Sequence, residues 1–289
     1  MSALRSKVAL VTAEAVKPPH HDPDMKPSLA ALRKLKIDAS AACWDDPHVR
    51  WEEFDLAVLR STWDYVDRYE EFFDWLTSAE RRVRVLNPSP IVKWSTNKRY
   101  LEDLKKRDMA VVETWFIEPD DPIEIPDLPE LVVKPAIGAG ARDAARHASA
   151  DDALEHVRRL LDDERTAMVQ PYLSSIDHRG ETGLVFFNGV FSHAFKKKVL
   201  LPSAARFSDE LYAKEKIKRR KPDADELALA ESVVEAYAKD LLYARVDVVR
   251  DSTDKAVVLE VELAEPSFFL RTTCGRAAKT FARAVEQRL

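Results

Sequence analysis

Residues 244–263 read ARVDVVRDSTDKAVVLEVEL, two apolar runs on either side of a polar turn at 252–255. Alternation around such a turn predicts an antiparallel strand pair. The first strand carries Arg245 and Asp247, the second Glu260 and Glu262. Side chains at i and i+2 of a strand share a face, so the two glutamates point one way, and Arg245 follows Asp247. With Asp247 across from the glutamates, three carboxylates converge on one otherwise apolar sheet. Burying acids without a partner is costly. A hard, oxygen-preferring cation is the usual answer, and Mg²⁺ in particular keeps coordination sites for phosphate oxygens. Periodicity equally permits the acids to face solvent above a buried Val/Leu face, so the residues alone leave both arrangements open.

Upstream, Lys134 lies in the apolar run LVVKPAI (131–137), which leads into a loop of small residues containing Gly138, Gly140, Ala141 and Arg142. The chain has only six glycines, about 2% against a typical ~7%, and two fall in this loop. Small residues let backbone N–H groups approach anionic oxygens, and a lysine adds a point charge. The loop is neither a Walker A nor a GxGxxG sequence, and taken alone it reads as an ordinary surface turn. Lys98 opens a predicted helix at 97–107. Lys196, Lys197 and Lys198 end a hairpin whose strands, TGLVFF and VFSHAF, flank Asn188-Gly189. Alternation places Lys196 and Lys198 on one face and Lys197 on the other. The run KEKIKRRK (214–221) reads as a solvated helix end or loop, or as a lid over a phosphate.

The first 88 residues alternate predicted strands (7–12, 37–43, 54–60, 83–86) with helices (26–36, 68–80), which implies a parallel sheet covered on both faces. Ligands of such sheets sit beyond the carboxyl ends of the strands. Thr12 and the segment Arg60, Ser61, Thr62, Trp63, Asp64, Tyr65 occupy those ends and are the substrate candidates. Arg60 suits a carboxylate and Asp64 an ammonium; the same segment also reads as a capped helix start with Trp63 in the core. Beyond residue 88 strands are expected at 111–117, 131–137 and 166–173, helices at 151–162, 223–242 and 276–287, and a surface loop at 118–130. The fold class is therefore α/β, becoming α+β in the C-terminal part.

Composition narrows the function. The net charge of −5 argues against a general nucleic-acid binder, although the basic run 214–221 keeps an RNA-binding reading in view. No apolar run is long enough to cross a bilayer, and residues 1–17 do not read as a signal peptide. Two cysteines are too few for a disulfide framework or a zinc site, so a reducing cytoplasm is the expected compartment. His20 and His21 beside Asp22 and Asp24 read as a solvated loop. There is no GxSxG elbow. Cys43 reads as a structural thiol, and Cys274 has no identifiable partner base.

Taken in order, these pieces resemble the ATP-grasp superfamily: Lys98, then Lys134 before a small-residue loop, the strand MVQPYL, and finally Asp247 followed after twelve residues by Glu260-Val261-Glu262. The spacing is similar to that of D-alanine–D-alanine ligases, and the match spans roughly residues 90–275. It implies an N-terminal α/β domain at 1–88, a first ATP-grasp subdomain at 89–172 and a second at 173–289. It also implies a reaction in which ATP phosphorylates a carboxylate and an amine attacks the acyl phosphate. Asp247, Glu260 and Glu262 would hold one or two Mg²⁺, with Mn²⁺ as an alternative. Lys98, Lys134 and the loop 138–142 would hold the phosphates, and Gln170, Tyr172 and Leu173 would border adenine, with Glu181 at the ribose. Lys196 or Lys198, with Arg245, would stabilise the transferred group. Glu265 and Ser267 would line the acceptor pocket. One departure is Glu262, where the family pattern has asparagine; it adds negative charge and leaves the number of metals open.

A narrower resemblance runs along most of the chain. AVLRSTWDYV, LNPSPIVKWSTNKRYL, GETGLVFFNGVFSHAFKK and LEVELAEPSFFL are similar to the branch containing the D-cycloserine-forming ligase, which cyclises O-ureido-D-serine using ATP. The loop 271–276 looks unlike that branch, and loops set specificity. An intermolecular amino-acid or peptide ligase and a non-catalytic nucleotide-binding protein of the same fold are the alternatives. The expected partner is a small amino-acid-like molecule rather than nucleic acid or membrane, and a homodimer is a further expectation from the resemblance.

Overall fold

The computed structural model describes residues 6–16, 22–198 and 216–289. His20, His21, Lys214 and Glu215 lie outside them. The N-terminal part runs β1 (Lys7–Thr12), α1 (Met25–Lys34), β2 (Asp38–Cys43), β3 (Leu56–Ser61), α2 (Tyr69–Glu80) and β4 (Arg84–Leu86). Its sheet is parallel, in the order β2-β1-β3-β4. Every residue of β3, LAVLRS, is buried, the signature of a strand covered on both faces. One face packs on aromatic residues including Trp44, Trp51 and Phe72, and the other on α1 and the C-terminal helix.

Next come α3 (Ser89–Thr96) and α4 (Tyr100–Lys106). The single helix expected at 97–107 is shorter, because Asn97 leaves helical geometry to bridge Ile137 and caps the next turn by accepting from the Arg99 amide. A second sheet, β5-β8-β6-β7, is formed by β5 (Trp115–Ile117), β6 (Leu131–Pro135), β7 (Ala145–His147) and β8 (Ala167–Pro171), with α5 (Ala150–Asp162) against it. The strand expected at 111–117 keeps only its last three residues. Its first part instead runs beside residues 256–262 of the third sheet, the amide of Val112 donating to the carbonyl of Val258.

After α6 (Ser175–His178), the third sheet contains β9 (Glu181–Phe187), β10 (Val190–Lys198), β11 (Lys216–Arg220), β12 (Tyr243–Arg250) and β13 (Ala256–Glu262), in the order β11-β10-β9-β12-β13. The helices α7 (Ala224–Tyr237) and α8 (Arg276–Glu286) flank it. The basic run is thus an edge strand over Lys216–Arg220, where a helix end or loop was expected; cross-strand pairing with Ala194–Lys198 overrides its charge, and lysines suit an exposed edge. The β9–β10 hairpin turns through Asn188 and Gly189 with φ of 49° and 75°, as the Asn-Gly pair predicts. Gly183 is required for close packing: a Cβ there would stand 2.3 Å from the Phe195 ring.

Side chains stitch these sheets together along residues 263–270. Asn87 donates to the carbonyls of Tyr243 (3.0 Å) and Leu263 (2.7 Å). Tyr243, Trp63, Arg60, Arg245 and His193 engage the carbonyls of residues 264 to 268 in turn. The buried Asp24 carboxylate accepts the amides of Phe268, Phe269 and Leu270 at 2.7–2.9 Å. Asp24→Ala strands these three donors, two of them in fully buried bonds. The variant is expected to lose about 3 kcal/mol of stability, read as a lowered urea midpoint, with Asp24→Asn losing less.

Candidate active site

In the β12–β13 pair Asp247 lies opposite Glu260 and Arg245 opposite Glu262. One oxygen from each of Asp247, Glu260 and Glu262 falls within 4.8 Å of the others, so the acids converge rather than face solvent. Arg245 grips Asp247 at 2.9 and 3.0 Å and also bonds Glu262. The charge that Glu262 adds is therefore met by the guanidinium directly across the ladder.

Three lysines face the acids. Lys98 reaches Glu260 at 3.2 Å and the Gly138 carbonyl at 2.8 Å, which ties the small-residue loop to β13. Lys134 projects from β6 into the same cleft, where burial lowers its pKa and Glu260 partly restores it. Lys197 bridges Glu181 (3.1 Å) and Asp247 (3.4 Å). Burial would raise the pKa of Glu260, but Lys98, Lys134 and Lys197 hold it down as an anion. Burial pushes Glu262 up, against Arg245 and aided by Glu260 and Asp247. Two neighbouring carboxylates driven in opposite directions mark a site that gains from an added cation.

One cleft collects most of the predicted residues: Lys98, Lys134, Gly138, Gly140, Ala141, Arg142, Gln170, Tyr172, Leu173, Glu181, Arg245, Glu260, Glu262, Trp63, Tyr65, Glu265 and Ser267 all line it. Gly140 and Ala141, in the small-residue loop that lines the cleft, adopt φ of 65° and 60°. Gln170 is fixed by Thr114 at 2.9 Å, and Tyr172 by Asp177 at 2.6 Å.

Other expected residues lie elsewhere. Lys196 and Lys198 do not line the cleft. Lys196 bonds the His178 carbonyl, and the lysine that enters is Lys197, on the opposite face of β10. Thr12 borders a separate hollow at the ends of β1 and β2 and bonds Ser61 at 2.9 Å. Arg60 is fully buried, stacks 3.7 Å from the Phe268 ring centroid and bonds Pro266. Thr62 is buried away from the cleft. Asp64 accepts from Trp44 (3.0 Å) and Arg68 (3.2 Å), so its oxygens are committed to packing. Sequence reasoning missed Lys197 and Arg146, which lies 3.6 Å from the Tyr172 ring centroid. No signal in the sequence could have found Lys197: an unbroken hairpin would set Glu181 opposite Lys196, and the bulge between Phe191 and His193 shifts that pairing to Lys197.

Comparisons place this geometry among known proteins. Residues 8–87 match the family model for the N-terminal domain of D-cycloserine synthetase DcsG. The chain is 36% identical to the cycloserine biosynthesis protein DcsG of Streptomyces lavendulae, over 98% of each chain. It is similar to the crystal structure of D-cycloserine synthetase DcsG with a TM-score of 0.84 and 34% identity, covering 98% of this chain and 99% of that one. The D-alanine–D-alanine ligase of Bacillus anthracis shares the fold at TM-score 0.69 and 14% identity, over 98% and 95% of the two chains. Among the described residues no helix is long and apolar enough to cross a membrane. By full-length identity and by fold, the chain belongs to the DcsG family of ATP-grasp ligases.

Proposed function

We propose that this ligase uses Mg²⁺ and ATP to convert the carboxylate of a small amino acid into an acyl phosphate, and that a nitrogen of the same molecule then closes the ring. O-Ureido-D-serine is the proposed substrate and D-cycloserine the product, by analogy with the name of the full-length relative. The observation that carries the reading is the convergence of Glu260 and Glu262 with Lys98, Lys134 and Lys197 in one cleft, with the buried Asp247 directly behind the two glutamates. The subdomain boundaries near residues 88 and 172 are part of the same reading, as are a homodimer and a reducing cytoplasm.

The donor set fits Mg²⁺: three converging carboxylates and no nitrogen or sulfur ligand. When bound, one or two ions would neutralise the β- and γ-phosphates. Gln170 and Leu173 border the adenine end, and Lys98, Lys134 and the loop 138–142 contact the phosphates. Lys197 and Arg245 hold the γ-phosphoryl group in line with the substrate carboxylate, the positioning and charge stabilisation that phosphoryl transfer needs. A carboxylate oxygen attacks the γ-phosphorus and ADP leaves. The ureido nitrogen bonded to oxygen then attacks the acyl carbon and phosphate leaves; one water hydrolyses the N-carbamoyl group, which departs as CO₂ and NH₃ and leaves the ring nitrogen protonated.

Purified protein with Mg·ATP and a panel of amino acids including O-ureido-D-serine, read by mass spectrometry, tests this directly. ADP, phosphate and D-cycloserine appearing together support it. A coupled product would favour the intermolecular reading, and AMP with pyrophosphate would contradict the mechanism. Chelation with EDTA is expected to stop ADP formation, excess Mg²⁺ to restore it, and Mn²⁺ to substitute.

A further inference from the structure

An amino acid brings an ammonium two bonds from the carboxyl carbon to be activated, so its recognition group must lie near the metal acids. The expected residue, Asp64, is outside the cleft and already bonded to Trp44 and Arg68. The cleft has five acids among the described residues, and four are committed: Asp177 to Tyr172 and Arg146, Glu181 to Lys197, Glu260 to Lys98, and Glu262 to Arg245. The fifth, Glu265, has no cationic group within ion-pair distance among the described residues. It is only 7% exposed and lines the cleft.

Its position is fixed. The Glu265 carbonyl accepts from Trp63 at 3.2 Å and the next carbonyl from Arg60 at 3.0 Å, while burial raises the pKa of its carboxyl and Tyr65, on the same cleft wall, partly offsets that. Glu265 stands three residues beyond Glu262 and is felt electrostatically by Glu262, Arg245 and Lys98, which places it at the phosphoryl-transfer end rather than beside Gln170 and Leu173. The surrounding cleft wall includes Trp63, Tyr65 and Phe269, whose ring faces favour a cation.

We propose that Glu265, walled by Trp63 and Tyr65, binds the α-ammonium of the substrate and thereby selects amino acids over simple carboxylic acids. The assignment rests on the ligase reading above. It supplies a reason for the dense network that holds residues 263–270: a recognition carboxylate must stay in place while the neighbouring carboxyl group reacts.

The test is calorimetric titration with Mg²⁺ and the non-hydrolysable analogue AMP-PNP present. It compares O-ureido-D-serine with the same molecule lacking its α-amino group, 3-(ureidooxy)propanoic acid. Wild-type protein is expected to prefer the amino compound by about 10–100-fold, the range for a hydrogen-bonded charged group. Glu265→Gln should remove most of that preference while leaving AMP-PNP affinity unchanged, and Glu265→Asp should recover part of it. Should Glu265→Gln fold poorly, Tyr65→Phe is expected to weaken the preference several-fold. A preference retained in full by Glu265→Gln, or by Tyr65→Phe as the substitute, overturns the assignment. Equal wild-type affinity for the two compounds also overturns it, even with turnover intact. Binding of neither compound sinks the ligase substrate reading together with the assignment built on it.

Discussion

Glu260→Gln is expected to lower kcat/KM by about 10³-fold, the loss of several kcal/mol that follows when a metal site no longer neutralises the transferred phosphoryl group. Glu260 is the acid whose charge is most secured, held ionised by Lys98, Lys134 and Lys197. It also lies opposite Asp247 at the centre of the strand pair. The substitution keeps the side chain's size but leaves the buried Lys98 ammonium without its ion-pair partner, so a lower melting temperature accompanies the rate loss. Steady-state ADP release at saturating ATP, with Mg²⁺ varied, separates the effects: a raised metal requirement together with the rate loss is the expected pattern. A variant within tenfold of wild type at ordinary Mg²⁺ would remove Glu260 from the metal site.

The second large effect separates neighbouring lysines. Lys197→Met is expected to cost about 10²-fold in kcat, because Lys197 sits between Glu181 and Asp247, where the proposed mechanism has charge on the γ-phosphoryl group develop. Lys196→Met should stay within about threefold, since Lys196 donates to the His178 carbonyl outside the cleft. Lys198→Met should behave likewise. Replacing Lys197 also leaves Glu181 and Asp247 without one partner, so a lower melting temperature accompanies the rate loss. Lys197→Arg keeps the charge and should recover stability before activity. The reverse ranking, with Lys196 essential and Lys197 dispensable, would contradict the placement of β10.

Local pattern carried much of this architecture. The strand pair 243–262 was legible because alternation and a polar turn are short-range signals, and the convergence of Asp247 with Glu260 and Glu262 followed once register was fixed. The parallel N-terminal sheet was legible for the same reason. Questions of which face points where depend on partners distant in sequence. Alternation separated Lys197 from its neighbours, but only pairing with Glu181 decides that Lys197 points inward. Arg60 and Asp64 have the chemistry of substrate ligands, yet Phe268 and Pro266, some two hundred residues away, claim Arg60, while Trp44 and Arg68 claim Asp64. Glu265 was visible as a polar residue after the metal acids. Its uncommitted charge became evident only when every other acid in the cleft was found bonded.

The central claim is activation of the substrate carboxylate by phosphorylation. Its most direct measurement is an isotope-transfer experiment with O-ureido-D-serine labelled with heavy oxygen in its carboxylate, incubated with Mg·ATP and the enzyme. An acyl phosphate passes one labelled oxygen to each inorganic phosphate released, so label in phosphate, one atom per D-cycloserine formed, is the predicted result. Unlabelled phosphate, or label recovered in AMP, would contradict it.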